Sequence, residues 1–352
     1  MKFAFMCKGG GKGGRGRVAV VGGGPAGLAA VGHLVCQGYE VDVFDKLPFA
    51  GGMMMFAIPP YRLPRESVIE GVEDLEKNYG VKFNYRTKVF CGSEVRRDEG
   101  DEFVETSLDL TKILREYDAT LLTTGIWLSR KLGVSGDDAR DVYSALEYVY
   151  SWSVYDSGLS THKPPVGDKV VVVGGGYSAI DAAETALVKG AKEVYLTYRR
   201  TIKEAPAGEY EVRRIMSEGV RWVELVQPTK VVVENGKVTG VEFVKMKLGE
   251  PDESGRPRPI PVPGSEHVIE ADVVLAAIGE VPTPPLNTVC DGVKADPKRR
   301  TIIVNNRMQT GVENVFAAGD VVTGPSMIGR AVGSGLRAAA FIDSFLRSRR
   351  VV

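Results

Sequence analysis

Twice along the chain a short, unbroken apolar run gives way to glycines and then to apolar positions at helical spacing. The first run is VAVV at 18 to 21. It is followed by Gly22-x-Gly24-x-x-Gly27, a helical pattern to about Gln37, a stop at Gly38, and a second strand, YEVDVF, that closes on Asp45. The second run is VVVV at 170 to 173. After it come Gly174 and Gly176, with Ala179 in the third place, then a helical pattern to Gly190 and the strand EVYLTY. Continuous apolar runs of this length, bounded by turn residues, predict strands buried on both faces, as in a parallel sheet. Each copy therefore reads as strand, turn, helix, strand. A third apolar stretch near the C-terminus, NVFAAGD at 314 to 320, predicts a short strand ending in Gly319 and Asp320. A long amphipathic helix follows it.

The glycines give the two turns their chemistry. The first of each set (Gly22, Gly174) permits a tight turn. The second (Gly24, Gly176) lets the backbone approach a pyrophosphate, and the third position lets helix and strand pack closely. The helix N-terminus then offers unpaired N–H groups and the positive end of its dipole. One such pattern is a weak signal; two in one chain, each in strand–turn–helix context, are specific for two dinucleotide sites. One nucleotide is expected to be resident and the other exchangeable.

The copies differ where the second strand ends. Asp45 stands 23 residues after Gly22, where a carboxylate can accept hydrogen bonds from a ribose diol. Counted from the strand valines Val41 and Val194, the matching position is Tyr198, and Arg199 and Arg200 follow it. Two readings are open for these arginines. They are a solvated strand end, or they hold the 2′-phosphate that separates NADPH from NADH. Their place after a complete fingerprint favours the second.

Other stretches have plainer readings. Met53, Met54 and Met55 read as core packing, with Gly52 before them as a backbone contact. The acidic run RRDEGDEF (96 to 103) reads as a solvated hairpin tip, and GEPDESGRPRPIPVPG (249 to 264) as an exposed loop. The N-terminal stretch 1–16 reads as a flexible Gly/Lys-rich arm without the features of a signal peptide.

Composition narrows the class. The chain has 352 residues, enough for about two domains, with 43% apolar and 26% charged residues, as in a soluble globular protein. It carries 45 basic and 45 acidic residues, so its charge gives no reason to expect nucleic acid or a membrane surface as partner. No apolar run is long enough to span a bilayer. Cys7, Cys36, Cys91 and Cys290 lie far apart, which excludes a local CxxC pair and a cysteine-rich metal or iron–sulfur run. Their scatter suits a reducing cytoplasm, and Cys36 reads as a small core residue. The three histidines have no partner at ligand spacing, so no metal site is expected.

These motifs resemble those of the FAD-dependent pyridine nucleotide-disulfide oxidoreductase superfamily. AAGD at 317 to 320 is similar to its second FAD motif, TTG at 123 to 125 to its internal "ATG" motif, and AAIGEVP at 276 to 282 to the point where the nicotinamide domain returns to the FAD domain. GGMMMFAIPPYRLPR (from 51) and YRRTIKEAPAGEYEVRRIMSEGVRW (198 to 222) resemble segments of its glutamate synthase small (beta) subunit group. The resemblance implies an α/β fold of two Rossmann-like βαβ domains, the NAD(P)H domain inserted into a discontinuous FAD domain. FAD would be bound by 17–128 with 280–352, NADPH by 166–279, and 129–165 would link them. It implies FAD contacts from Gly22, Gly24, Pro25, Ala26, Asp45, Lys46, Gly52, Arg62, Thr124, Gly125, Gly319 and Asp320. NADPH contacts would come from Gly174, Gly176, Tyr177, Ser178, Arg199, Arg200, Lys203 and Gly279.

Hydride passage between two cofactors needs no general acid or base, so no catalytic residue is nominated. Without a local cysteine pair, electrons are expected to leave to an external acceptor. That acceptor is a glutamate synthase large-subunit-like or ferredoxin-like protein, or a small molecule such as a quinone or dye. Family members usually carry an N-terminal cysteine-rich iron–sulfur domain; here a short arm with one cysteine stands in that place, which leaves the electron exit open. Three functions follow: an electron-input subunit, a free-standing NAD(P)H:acceptor oxidoreductase, or a flavin-binding assembly module without turnover. The oligomeric state is left open.

Overall fold

The computed structural model describes residues 14–92, 98–252 and 255–349. Most of the expected N-terminal arm lies outside them, although Arg15 and Gly16 are already tied to the chain by Arg15 N–H to Gly38 O and Glu40 N–H to Gly16 O. The chain divides into two compact units, one of residues 1–128 and 280–352, the other of 129–279.

The first unit is built on a five-stranded parallel sheet. Its order is Val315–Ala317, Ala119–Leu122, Arg17–Val21, Glu40–Phe44, Lys82–Asn84. The first fingerprint strand is central, and Val18, Ala19 and Val20 are fully buried, as the unbroken apolar run requires. The edge strand Val315–Ala317 comes from the far end of the chain, which makes this unit discontinuous.

Two helices cover one another in this unit. Pro25–Cys36 packs on Ile328–Ser348 so closely that a Cβ on Gly335 would lie 2.0 Å from the Ala26 carbonyl oxygen. Beyond the end of the first helix, the Tyr39 hydroxyl donates to Asp343 Oδ1 at 2.9 Å. Burial, and then this bond, push the Tyr39 phenol up to about 12 from its ordinary value near 10. The phenol's folded value is the higher one, so its contribution is whole below about pH 10 and fades as pH rises towards 12. In alkaline melts, Tyr39→Phe is expected to lose part of the fall in stability over that window; an unchanged pH profile would show the bond contributes nothing.

The second unit repeats the plan with the order Arg221–Glu224, Glu193–Tyr198, Lys169–Val173, Val273–Ala276, Val142–Ser144, all parallel. Residues 129–165, expected as a linker, are built into this unit: Val142–Ser144 is the edge strand, and helix Ala145–Asp156 packs on the second fingerprint helix. Ser144 and Glu147 form a reciprocal cap at the start of that helix. Beside the parallel sheet lies an antiparallel one of Val226–Glu234, Lys237–Pro251 and Pro257–Pro261, with His267–Glu270 paired to the long strand. The stretch 249 to 264 is thus largely hairpin rather than loop.

The cysteines overturn their sequence reading. Cys91 and Cys290, 199 residues apart, form a disulfide with Cα atoms 6.0 Å apart, and Cys36 is disulfide-bonded and only half-buried. Folding sets cysteine pairing in space, so sequence spacing excluded only local pairs. Their scatter therefore gives no argument for a reducing compartment. Among the described residues, no helix is long and apolar enough to cross a membrane, and no group of three or more His, Cys, Asp or Glu is placed to hold a metal ion.

Candidate nucleotide-binding sites

In the first unit the expected residues converge on one turn. Gly22 has a φ of 105°, and a Cβ there would lie 2.4 Å from the Thr123 carbonyl oxygen, so only glycine fits. Thr123 closes the contact from its side chain, donating to Gly22 O at 2.7 Å. Gly27 packs as tightly, its added Cβ falling 2.1 Å from Gly22 O. Gly24 is different. Its nearest neighbour would be the Gly52 Cα at 4.0 Å, and no side chain caps the helix it begins. The backbone is therefore open at the one position where a pyrophosphate must approach, and the first helical N–H groups have no side-chain acceptor.

Three further segments surround this opening. Gly51 N–H donates to Gly23 O at 2.8 Å, which lays the Gly51–Gly52 turn against the fingerprint. Met54 and Met55 are buried behind it, as expected of core residues. Gly319 abuts the helix start, its added Cβ 2.8 Å from Ala26 Cβ, and its N–H donates to Ser334 Oγ at 3.0 Å. Asp320 follows and accepts from Ser326 Oγ at 2.5 Å. Burial pushes the Asp320 carboxyl up, against the Ser326 bonds that favour its charge. The chain's return is fixed by Thr124 Oγ1, which donates to Thr283 O at 2.7 Å, and by Thr283 N–H to Gly125 O at 3.0 Å.

Asp45 sits beneath the turn. Gly23 N–H donates to its Oδ2 at 2.7 Å and Leu47 N–H to its Oδ1 at 2.9 Å. Burial pushes this carboxyl up, and the two backbone bonds oppose it. The carboxylate braces the fingerprint, and each oxygen keeps acceptor capacity for a ribose hydroxyl.

Two expectations for this unit change. Lys46 does not reach towards the turn. Its ammonium pairs with Asp98 and the Glu99 carbonyl, lies 3.4 Å from Asp101, and sits over the Trp127 ring. Lys88 completes the cluster, 2.6 Å from Asp101 Oδ2. Asp98 and Asp101 of the acidic run therefore belong to a largely buried ion cluster rather than a solvated tip, while Glu102 stays exposed; Asp98 is 5% exposed at its side chain. Local sequence could not show this, because Lys46 arrives from 52 residues away and Lys88 from the preceding strand Thr87–Phe90. Arg62 is half-buried on the turn after Pro59.

The second unit has the same turn. A Cβ on Gly174 would lie 2.2 Å from the Ala277 carbonyl oxygen, whereas a Cβ on Gly176 would meet nothing within 4 Å. Gly176 begins helix Tyr177–Val188 without a side-chain cap, and Tyr177 is exposed and Ser178 half-buried beside it. The register is also the same: Gly22 N–H reaches Phe44 O at 2.8 Å, and Gly174 N–H reaches Thr197 O at 2.9 Å. Tyr198 thus occupies the place of Asp45. Its ring lies under Gly175, 2.8 Å from where a Cβ would be, just as the Asp45 carboxylate lies under Gly23. An aromatic ring has replaced the acid, and its hydroxyl donates to Glu204 O at 2.9 Å.

The two arginines part company. Arg199 is exposed, and so is Lys203 on the capped turn that follows. Arg200 is buried, 1% exposed: its Nε donates to Pro257 O at 2.7 Å, and its terminal nitrogen lies 2.6 Å from Asp252 Oδ2. Neither sequence reading fits Arg200, which is neither a solvated strand end nor turned out to a phosphate. Gly279 ends this unit with a φ of 112°, accepting from Arg130 N–H at 3.0 Å. Sequence reasoning passed over Thr123, Ser326, Ser334 and Asp252. Thr123 lay inside the TTG motif and Asp252 inside the stretch 249 to 264 read as a loop; Asp252, Ser326 and Ser334 meet their partners only through the fold.

Comparison with known proteins agrees with this geometry. Residues 16–335 match the pyridine nucleotide-disulphide oxidoreductase family, and the chain belongs to that family. As a member of that family it is a pyridine nucleotide-dependent oxidoreductase. It is 41% identical to the "NADP(+)-dependent formate dehydrogenase subunit beta" of Moorella thermoacetica, over 94% of this chain and 44% of that protein. It is 35% identical to the "Glutamate synthase [NADPH] small chain" of Escherichia coli, over 94% of this chain and 68% of that one. The chain spans about half the length of several curated relatives it matches, 44% and 50% in two cases. Among solved structures, FprA of Mycobacterium tuberculosis in complex with NADPH superposes with a TM-score of 0.77 at 17% identity, covering 96% of this chain and 86% of that one, which supports the fold.

Proposed function

We propose that this chain is an electron-input module: it binds FAD in the first unit and NADPH in the second, and its electrons pass to an external, protein-borne acceptor. The observation that carries this reading is the second turn, open at Gly176, with Tyr198 in the place of the acid and an exposed Arg199 one residue on. A carboxylate there would repel a 2′-phosphate, whereas an aromatic ring is indifferent to it and an arginine attracts it. The protein partner is supported by relatives named as a beta subunit or small chain of larger enzymes, among them the "NADPH-Fe(3+) oxidoreductase subunit beta" of Geobacter sulfurreducens. A glutamate synthase-like large subunit is one such acceptor.

When bound, a flavin would supply the two-electron chemistry between nicotinamide and acceptor. The chain's residues bind and orient. Gly24 and Gly176 leave room for the two pyrophosphates, and the helices behind them begin without a side-chain cap and turn the positive ends of their dipoles to that space. Asp320, held by Ser326, offers a fixed carboxylate beside the first helix start for the hydroxyls of the flavin side chain. Arg199 and Lys203 give the second site its positive charge.

An anaerobic titration that follows flavin absorbance tests this. NADPH is expected to bleach the flavin at far lower concentration than NADH. Arg199→Ala is expected to raise the NADPH KM roughly 10- to 100-fold, the worth of a charge-assisted hydrogen bond, and to leave NADH unchanged. Equal response to both nucleotides in the wild type would sink the preference while leaving the fold intact.

A further inference from the structure

Arg200 makes a buried contact in the second unit that nucleotide binding does not explain. It stands one residue from the exposed Arg199, yet its own charge is spent on a carboxylate 52 residues further along the chain. That carboxylate, Asp252, lies on the turn between strands Lys237–Pro251 and Pro257–Pro261. The turn is closed by Asp252 N–H to Arg256 O at 2.9 Å and Gly255 N–H to Asp252 O at 2.8 Å.

Proline explains why the hairpin end can accept Arg200. Pro251 and Pro257 face one another in the ladder, and the register shifts just before them. Neither has an N–H, so no backbone donor closes the ladder at that pair. The Pro257 carbonyl takes its hydrogen bond from Arg200 Nε instead. The fixed guanidinium fork spans both acceptors, the carbonyl and the Asp252 carboxylate; a lysine ammonium has no such fork. The Arg200 backbone is bound to the same sheet, since Leu225 N–H donates to Arg200 O at 3.2 Å and Met246 N–H to Leu225 O at 2.7 Å.

The residue before Arg199 is held as firmly. Tyr198 has its ring under Gly175 and its hydroxyl on Glu204 O. Arg199 is therefore an exposed arginine between two side chains that are each anchored at both ends of their reach. Beyond Arg200, Thr201 and Glu204 form a reciprocal cap around the turn that carries Lys203. The backbone that presents both exposed cations is fixed on each side, and a charge offered from a fixed backbone loses less freedom on binding.

We infer that Asp252 is a specificity-determining positioning residue: through Arg200 it clamps the hairpin 237–261 to the strand end, so that Arg199 and Lys203 are held ready for the 2′-phosphate of NADPH. This rests on the NADPH reading above and deepens it. Arg200 does not read the phosphate; it sets the aim of the residue that does. The hairpin, for which the sequence offered no role, acts as a brace for nucleotide choice.

The test uses the full-length FAD-loaded protein and two readouts. One is steady-state kinetics with NADPH and NADH. The other is binding of adenosine 2′,5′-bisphosphate against 5′-AMP, which reads the 2′-phosphate without turnover. Asp252→Asn is expected to weaken the bisphosphate and raise the NADPH KM about 5- to 20-fold, with 5′-AMP, NADH and kcat unchanged. Arg200→Lys is expected to do the same, because charge alone cannot span both acceptors. In an Arg199→Ala background, Asp252→Asn is expected to add less than about twofold, since the residue it aims is gone.

Thermal melts and flavin content confirm that each variant folds; should Asp252→Asn fail to fold, Arg200→Lys carries the same test. Tighter bisphosphate binding in Asp252→Asn would overturn the inference, by showing that Asp252 competes with the phosphate for Arg200. A full additional loss in the Arg199→Ala background, or equal losses for NADPH and NADH, would overturn it too, leaving the clamp as general scaffolding. Failure of the underlying reading looks different: the wild type would not distinguish the two nucleotides, and Arg199→Ala alone would change nothing.

Discussion

A Gly176→Val protein is expected to purify yellow, melt close to the wild-type temperature, and need at least 100-fold more NADPH to bleach its flavin. The expectation rests on a separation that the two turns make unusually clear. Gly176 has a φ of −94°, open to any residue, and a Cβ there meets nothing within 4 Å. Folding therefore loses little: a valine at a helix start costs on the order of 1 kcal/mol relative to a good capping residue, and less relative to glycine. Binding loses much, because the new methyl groups fill the space through which a pyrophosphate approaches the backbone. Gly174→Ala makes the contrast. Its Cβ would lie 2.2 Å from the Ala277 carbonyl oxygen, at a φ of 153°, so folding itself fails there. Flavin absorbance, melting temperature and NADPH titration on the two variants check the argument together. Normal bleaching of Gly176→Val would falsify the assignment of this turn as a nucleotide cradle.

What the sequence made legible, and what it hid, divides along the range of the forces involved. The fingerprints were readable because their physics is local: an apolar run, a glycine that must bend, a glycine that must stay open, and a helix start all lie within a dozen residues. The match of Tyr198 to Asp45 could be counted out for the same reason, since each strand pair runs parallel over five paired residues. Arg200 was misread because its carboxylate partner comes from a hairpin that must first fold back across the unit. Lys46 was misread likewise. Its neighbours in sequence suggested a nucleotide contact, while the acidic run that claims it looked solvated on its own. A charged run gives no sign of burial when the opposite charges arrive from elsewhere. The three-residue edge strand Val142–Ser144 was too short to declare itself against a loop, so the second unit was drawn to begin too late. The cysteines carried no pairing signal, because pairing depends on which strand ends the fold brings together.

That last pairing leads to the second large effect. Replacing Cys91 and Cys290 together with alanine is expected to cost about 2–5 kcal/mol, the usual worth of a native disulfide closing a long loop. For a unit of this size that is roughly 5–15 °C in melting temperature. The loop it closes spans 199 residues and includes the whole of the second unit, so the loss falls on the discontinuous first unit. Cys290 is 2% exposed and packs with Val21, Phe44, Leu122, Val315 and Ala317 on one face of the first sheet. The bond therefore ties the returning segment to that sheet. On the same segment Thr283 donates to Gly125 O, and beyond it strand Val315–Ala317 leads to Gly319 and Asp320. Loosening the return is expected to loosen the nucleotide turn of the first unit first. Melts followed by released flavin fluorescence are expected to show an early transition in the double alanine variant, and in the wild type after full reduction. Binding of adenosine 2′,5′-bisphosphate, which the proposed function places in the second unit, is expected to stay unchanged. Identical melts with and without the bond would show that the packed apolar face alone secures the return. Loss of bisphosphate binding together with flavin would show that the two units stand or fall as one cooperative body.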